Sequence, residues 1–163
     1  MSNMTNEQKE QDFKLDSEFY LDSNLFIYSA IDRGFIGGQC KKILKLISEG
    51  KFKAYTSTLT IDEILWRVQK ETDRNLAGET AKKLLAMQNL EFINIDMGII
   101  FQAIDYYTND KLDPRDSIHL AAMRSRKINT ILSSDPDFDK IKGIKRIDFT
   151  KEKIIREDEK NKK

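Results

Sequence analysis

The stretch FYLDSNLFIY, residues 19–28, decides the fold. Three apolar residues, Phe19, Tyr20 and Leu21, run into a single aspartate, Asp22; after Ser23 and Asn24 the apolar residues resume as Leu25, Phe26, Ile27 and Tyr28. A short continuous apolar run suits a strand buried on both faces, which is the habit of parallel sheets covered by helices. The stretch predicts a strand over residues 19–22, a short helix after it, and an acid where one becomes the other. That acid has two readings. It caps the following helix, or it is one corner of a cluster of carboxylates.

Outward from this strand, Gly34, Gly37 and Gly38 break the chain before QCKKILKLISEG, where Cys40, Ile43, Leu44 and Ile47 recur at helical spacing and Gly50 closes the helix. FKAYTS predicts a second strand. LTIDEILWRVQKET predicts a helix with Thr60 as N-cap and Glu63 three residues on, the spacing of a capping box. ETAKKLLAMQNL continues as helix, and EFINID alternates as a third strand. GIIFQAIDYYTND places Ile99, Ile100, Ala103, Ile104 and Tyr107 on one helical face, and of the adjacent Tyr106 and Tyr107 one is expected in the core. DPRDSIHLAAMRSRK has Pro114 in the first turn of a helix. NTILSS and IKRIDF supply the last strands. Strands alternating with helices imply an α/β fold with parallel pairing and helices on both sheet faces.

The chain has 163 residues, which suits one domain, and a hydrophobic fraction of 39% supports a real core. Its 28 basic and 27 acidic residues nearly cancel, to +1, so nucleic acid is not held by bulk charge and any such contact needs local patches or metal ions. One cysteine, Cys40, excludes an internal disulfide framework and a cysteine zinc site, is most simply a small core residue, and points to the reducing cytoplasm. No apolar run approaches the ~18 residues of a membrane span. The N-terminal residues lack the apolar stretch of a secretory signal. The expected organisation is a flexible polar extension over residues 1–17, a folded domain over 18–149 and a charged tail over 150–163.

Ligands of open parallel sheets gather outside the carboxyl ends of the strands. Asp22 ends the first strand and Asp135 the fourth, in TILSSDPDFD; Glu63 and Asp116 lie near helix starts, in LTIDEIL and LDPRDSIHL, at the same rim. Each alone has a structural reading: Asp22 as a cap, Glu63 in a capping box, Asp113 and Asp116 at N-cap and N3 around Pro114, and Asp135, Asp137 and Asp139 as turn residues beside Pro136. Together they describe a cluster. Crowded carboxylates raise one another's pKa unless a cation sits among them, and hard ions such as Mg²⁺ and Mn²⁺ favour such donors.

In their order, LDSNLFIY, TSTLTIDEILW, LDPRDSIHLAA and ILSSDPDFD resemble the PIN-domain ribonucleases, most nearly the VapC-type toxins of prokaryotic toxin–antitoxin pairs. The resemblance spans roughly residues 18–149. It implies a Rossmann-like three-layer α/β/α sandwich with a central, mainly parallel sheet of about five strands, Mg²⁺- or Mn²⁺-dependent nuclease activity on RNA, and a homodimer. The family's acids map to Asp22, Glu63, Asp116 and Asp135, with Asn24 two places after the first and Ser133 two places before the last. Metal ligation is expected of Asp22, Asp116 and Asp135. Glu63 would orient or deprotonate the attacking water, Asn24 and Ser133 would fix carboxylate orientation, and Asp137 would assist. Asp113 is an additional acid whose role stays open. A phosphodiester hydrolysed at carboxylate-held metal needs no cysteine or serine–histidine nucleophile, which suits a chain with one His.

Other residues read more simply. His119, one turn after Asp116, fits a half-buried structural residue better than a catalytic one. Trp66, one turn after Glu63, is expected in core packing rather than base stacking. Lys41, Lys42, Lys45, Arg124, Arg126 and Lys127 fit solvated faces that would otherwise meet phosphates. Leu84 and Leu85 are the expected dimer surface. Two competing functions stay open: a PIN-like module that binds RNA or protein without cutting, and an RNA-processing nuclease with no antitoxin partner. A phosphoryl-accepting α/β domain would want a second Asp where Asn24 stands.

Overall fold

The structure, a computed structural model, describes residues 18–151. The extension expected over 1–17, and the tail expected over 150–163 beyond its first two residues, lie outside the described residues. The elements are β1 (Glu18–Leu21), α1 (Ser23–Ile31), α2 (Phe35–Ser48), β2 (Lys53–Ser57), α3 (Leu59–Glu71), α4 (Arg74–Leu85), β3 (Leu90–Ile93), α5 (Met97–Asn109), α6 (Pro114–Ser125), β4 (Thr130–Leu132), a single-turn 3-10 helix (Pro136–Lys140) and β5 (Lys145–Ile147). The five strands form one sheet in the order β3-β2-β1-β4-β5, and every pairing is parallel.

β1 is the central strand, and its alternation builds both halves of the core. Phe19 and Leu21 face one side, where they join Leu25, Ile43, Ile47, Ile64, Val68 and Leu84 from α1 to α4. Tyr20 faces the other, with Ile99 and Ala103 of α5 and Leu120 to Met123 of α6. The result is a three-layer sandwich with four helices on one face and two on the other. Gly50 has φ +72°, the left-handed conformation that ends α2 where an L side chain would be strained.

Several local expectations shift. The helix read as running through residues 60–90 is two helices: α3 stops at Glu71, and Asp73 recaps the chain by accepting from the N–H groups of Asn75 and Leu76 at 2.7 and 2.9 Å. Thr60 is not the N-cap of α3. That place falls to Thr58, which makes no side-chain cap bond, while buried Thr60 pairs its hydroxyl with Thr56 at 2.8 Å. The apolar face read on α5 divides, because only one flank of the helix packs on α6. Ile99 and Ala103 are buried, whereas Ile104 and Tyr107 are each 52% exposed. Tyr106 packs against the core. Leu84 is buried and only Leu85 faces solvent.

Candidate active site

Parallel pairing of β1 with β4 lays their carboxyl ends side by side, and the Asp22 N–H donates to the Leu132 carbonyl at 3.1 Å. Asp22 occupies the N-cap position of α1 but its side chain makes no cap hydrogen bond. It points sideways instead. Its Oδ2 accepts from the Ser133 hydroxyl at 2.5 Å and from the Asn24 amide at 2.8 Å, and that amide also reaches Ser133 Oγ at 3.2 Å. The same Ser133 oxygen accepts from the Asp135 N–H at 2.9 Å. Two polar side chains, drawn from the ends of two strands, therefore fix one buried carboxylate. The helix-cap reading of Asp22 is set aside by this geometry.

The other acids arrive from helix starts and the last turn. Asp116 lies in the first turn of α6, behind Pro114. Asp135 opens the 3-10 helix and accepts from the Asp137 N–H at 2.9 Å. Carboxylate oxygens of Asp116, Asp135 and Asp137 all lie within 4.8 Å of one another, and all three residues are half-buried. Asp137 also takes an ion pair from exposed Lys140 at 2.6 Å. Asp113 sits at the N-cap of α6, is exposed, and stands outside this group. Asp139 is engaged at both oxygens by Arg146, at 2.8 and 2.7 Å.

Glu63 enters on α3. No capping box forms; its Oε2 accepts instead from His119 Nε2 at 2.7 Å, and the other ring nitrogen, Nδ1, meets the Tyr20 hydroxyl at 2.7 Å. His119 is fully buried, and its Nε2 is also 4.0 Å from Asp22 Oδ1. Burial works against charge on the ring, but the Tyr20 oxygen, the Glu63 hydrogen bond and the Asp22 charge outweigh it and lift the imidazole well above its ordinary value. Both ring nitrogens are thus engaged, Nε2 with Glu63 and Nδ1 with the Tyr20 hydroxyl.

The acids feel one another. Burial pushes the Asp116 carboxyl up to about 7, helped by the charges of Asp22, Asp135 and Glu63 and opposed by His119. Burial likewise raises Asp22, against the lowering effects of His119 and Ser133. The donor set suits a hard divalent ion: it is all carboxylate at the open side, and crowding there disfavours ionisation without a cation. A buried polar atom, Asn24 Oδ1, also has no hydrogen-bond partner.

The sequence matches the PIN domain over residues 19–144. The chain belongs to the PIN-domain family. No curated protein matches it in sequence. Solved structures share its fold at low identity. VapBC2 of Rickettsia felis, bound to a DNA fragment from its promoter, is 14% identical with a TM-score of 0.63, covering 80% of this chain and 97% of that one. VapC20 of Mycobacterium tuberculosis, a toxin that cleaves the sarcin–ricin loop, is 16% identical with a TM-score of 0.63, covering 74% and 92%. DNA-bound VapBC of Salmonella typhimurium is 16% identical with a TM-score of 0.63, covering 81% and 98%.

In this PIN domain Asp22, Glu63, Asp116 and Asp135 all reach the carboxyl rim of the sheet, with Asn24 and Ser133 bound to the first. Asp137, read as assisting, shares an acidic group with Asp116 and Asp135, while Asp22 lies outside that group. His119, read as a satisfied and half-buried residue, is fully buried with both ring nitrogens bonded, to Glu63 and Tyr20. The signal for it was the spacing of three between Asp116 and His119, which on a helix puts both on one face. Arg124, Arg126 and Lys127 lie at the far end of α6 from Asp116, where Arg126 pairs with Glu91 and the Arg124 guanidinium lies over the Tyr106 ring. Among the described residues no helix is long and apolar enough to cross a membrane.

Proposed function

We propose that this PIN domain is a divalent-metal-dependent endoribonuclease and the toxin of a toxin–antitoxin pair. The observation that carries the reading is the group of Asp116, Asp135 and Asp137, whose carboxylates approach within 4.8 Å while Asp116 is pushed up to about 7. Such a group is stable in its charged form only around a cation. Asp116 and Asp135 would hold Mg²⁺ or Mn²⁺, with Asp137 beside them and Asp22 closing the cluster from its buried side. A bound ion of this kind supplies an activated water and neutralises charge developing on the phosphate. Glu63, with Oε2 held by His119, keeps Oε1 for orienting that water and taking its proton. Ser133 and Asn24 keep Asp22 turned into the cluster.

The fold neighbours include toxin–antitoxin complexes, which supports an antitoxin as partner. The exposed apolar residues Met97, Phe101, Ile104 and Tyr107 of α5 support a homodimer through that helix, in place of the α4 surface read from the sequence. Light scattering on the wild type and on Phe101→Glu tests this: a dimer and a monomer are expected, and a monomeric wild type at all concentrations rejects it. The activity is tested directly. Purified protein cuts RNA with Mg²⁺ or Mn²⁺ and stops with chelator; full cleavage in excess EDTA overturns the mechanism.

A further inference from the structure

Trp66, expected in the core, is 47% exposed. It is the only tryptophan of the chain. The buried stripe of α3 runs through Thr60, Ile64 and Val68, and Trp66 stands about 200° round the helix from Ile64, given about 100° per residue. Two cations flank its ring. Lys70 Nζ lies 5.1 Å from the ring centroid and the Arg115 guanidinium 5.9 Å, within the range of cation–π attraction. Arg115 comes from α6 and is also tied to Asp62 of α3 at 3.2 Å, so the cluster bridges the two helices.

Its position relative to the acids follows from the same two helices. On α3, Trp66 is one turn after Glu63, so the two are neighbours on the helix surface. On α6, Arg115 immediately precedes Asp116. Each helix thus gives an acid to the cluster and a neighbouring residue to the exposed ring. We propose that Trp66, with Lys70 and Arg115, is a stacking platform for an unpaired RNA base beside the phosphodiester held at the acids. An exposed indole offers a flat face to any base, and the cations beside it meet the flanking phosphates; this is how single-stranded nucleic acid is held without bulk positive charge. With a net charge of +1, contact with RNA relies on local features of this kind or on metal ions. The two cations at the ring, one of them paired with Asp62, favour a ligand that brings negative charge, and the flat face of the indole suits a base. The platform selects single-stranded over paired RNA, because a paired base has no free face to offer.

The proposal rests on the ribonuclease reading, and one experiment separates the two. With EDTA present, so that no cutting occurs, the protein is titrated with a short unpaired oligoribonucleotide and with a fully paired, loop-free RNA duplex of the same length while tryptophan emission is followed. The unpaired RNA is expected to change the emission strongly and the duplex far less. Trp66→Ala, followed by filter binding, is expected to weaken binding of the unpaired RNA about 5- to 150-fold, the span of one stacked base. Trp66→Phe should restore most of it, which loss of fold would not allow. With Mg²⁺, the alanine variant should raise KM far more than it lowers kcat. Metal-dependent cleavage with unmoved emission and an unaltered KM in Trp66→Ala overturns the platform and leaves the nuclease standing. An emission change with unpaired RNA, but no cleavage under any metal, keeps the platform and removes the nuclease. Emission that responds to a protein partner and not to RNA also overturns it.

Discussion

Two corners of the acidic rim are built differently. Asp22 is 4% exposed, and its Oδ2 is committed to Ser133 and Asn24 by short hydrogen bonds. Asp116, Asp135 and Asp137 are half-buried and converge on one another, with Asp135 and Asp137 joined only through a backbone N–H. The closed corner is satisfied by the protein itself. The open corner is crowded by like charges and gains from a cation. The contrast teaches that a site of this kind separates two jobs: one carboxylate is set by the sheet, and the others, carried on helix starts and a turn, complete a cage that the protein alone leaves strained.

The largest test of that division is Asp116→Asn. If the open corner holds the metal, RNA cleavage should fall by about 10²–10³-fold, the scale of losing one main charge-stabilising group, with circular dichroism unchanged. An unchanged rate takes Asp116 out of the site. Ser133→Ala asks whether the closed corner governs the open one. It removes a donor to Asp22 and an acceptor for both Asn24 and the Asp135 N–H. Magnesium affinity or activity should drop about 10–100-fold, and stability should fall by ~1–3 kcal/mol from the polar groups left unsatisfied. Magnesium affinity equal to wild type would show the corners to be independent.

The third test is by melting. Asp22→Asn in EDTA should melt no lower than wild type, because it removes a buried charge whose pKa burial has raised. Wild type should gain about 2.7 kcal/mol from Mg²⁺ at a hundred times its dissociation constant, and the variant much less. The pH dependence has a definite sign. Asp116 is raised from 3.8 to about 7 in the folded chain, so its contribution to metal-free stability is present at low pH and fades as pH climbs between those values. Metal binding needs the ionised acids, so the magnesium-induced rise in Tm should be small near about pH 5.5 and large near about pH 7.5. An equal rise at both would mean that Asp116 does not pay out its proton to the ion.

The sheet was legible because buried parallel strands are nearly continuous apolar runs, and Phe19 to Leu21 is such a run. The acids were legible because each follows a strand or opens a helix, where topology brings distant segments to one rim. What was not legible depends on neighbours rather than on period. Periodicity puts Ile104 and Tyr107 on one face of α5 with Ile99 and Ala103, but does not say how far α6 covers that face. For Trp66 the spacing was informative and was overridden by residue type: Asp62, Trp66 and Lys70 form a polar stripe opposite Ile64. For His119, the hydrogen bonds come from Tyr20 and Glu63, which the sequence separates by 99 and 56 residues.

The bond between Ser133 and Asp22 spans 111 residues of chain. A polypeptide emerging from its N-terminus therefore carries Asp22 and Glu63 long before β4 exists to lie beside β1. Domains fold as units, and contacts so distant in sequence form late. On the ribonuclease reading proposed above, the growing chain would be unable to cut RNA until the sheet closes. Ribosome-stalled chains that end before residue 130 should be inert towards RNA where released full-length chains are active, which a nascent-chain cleavage assay would read.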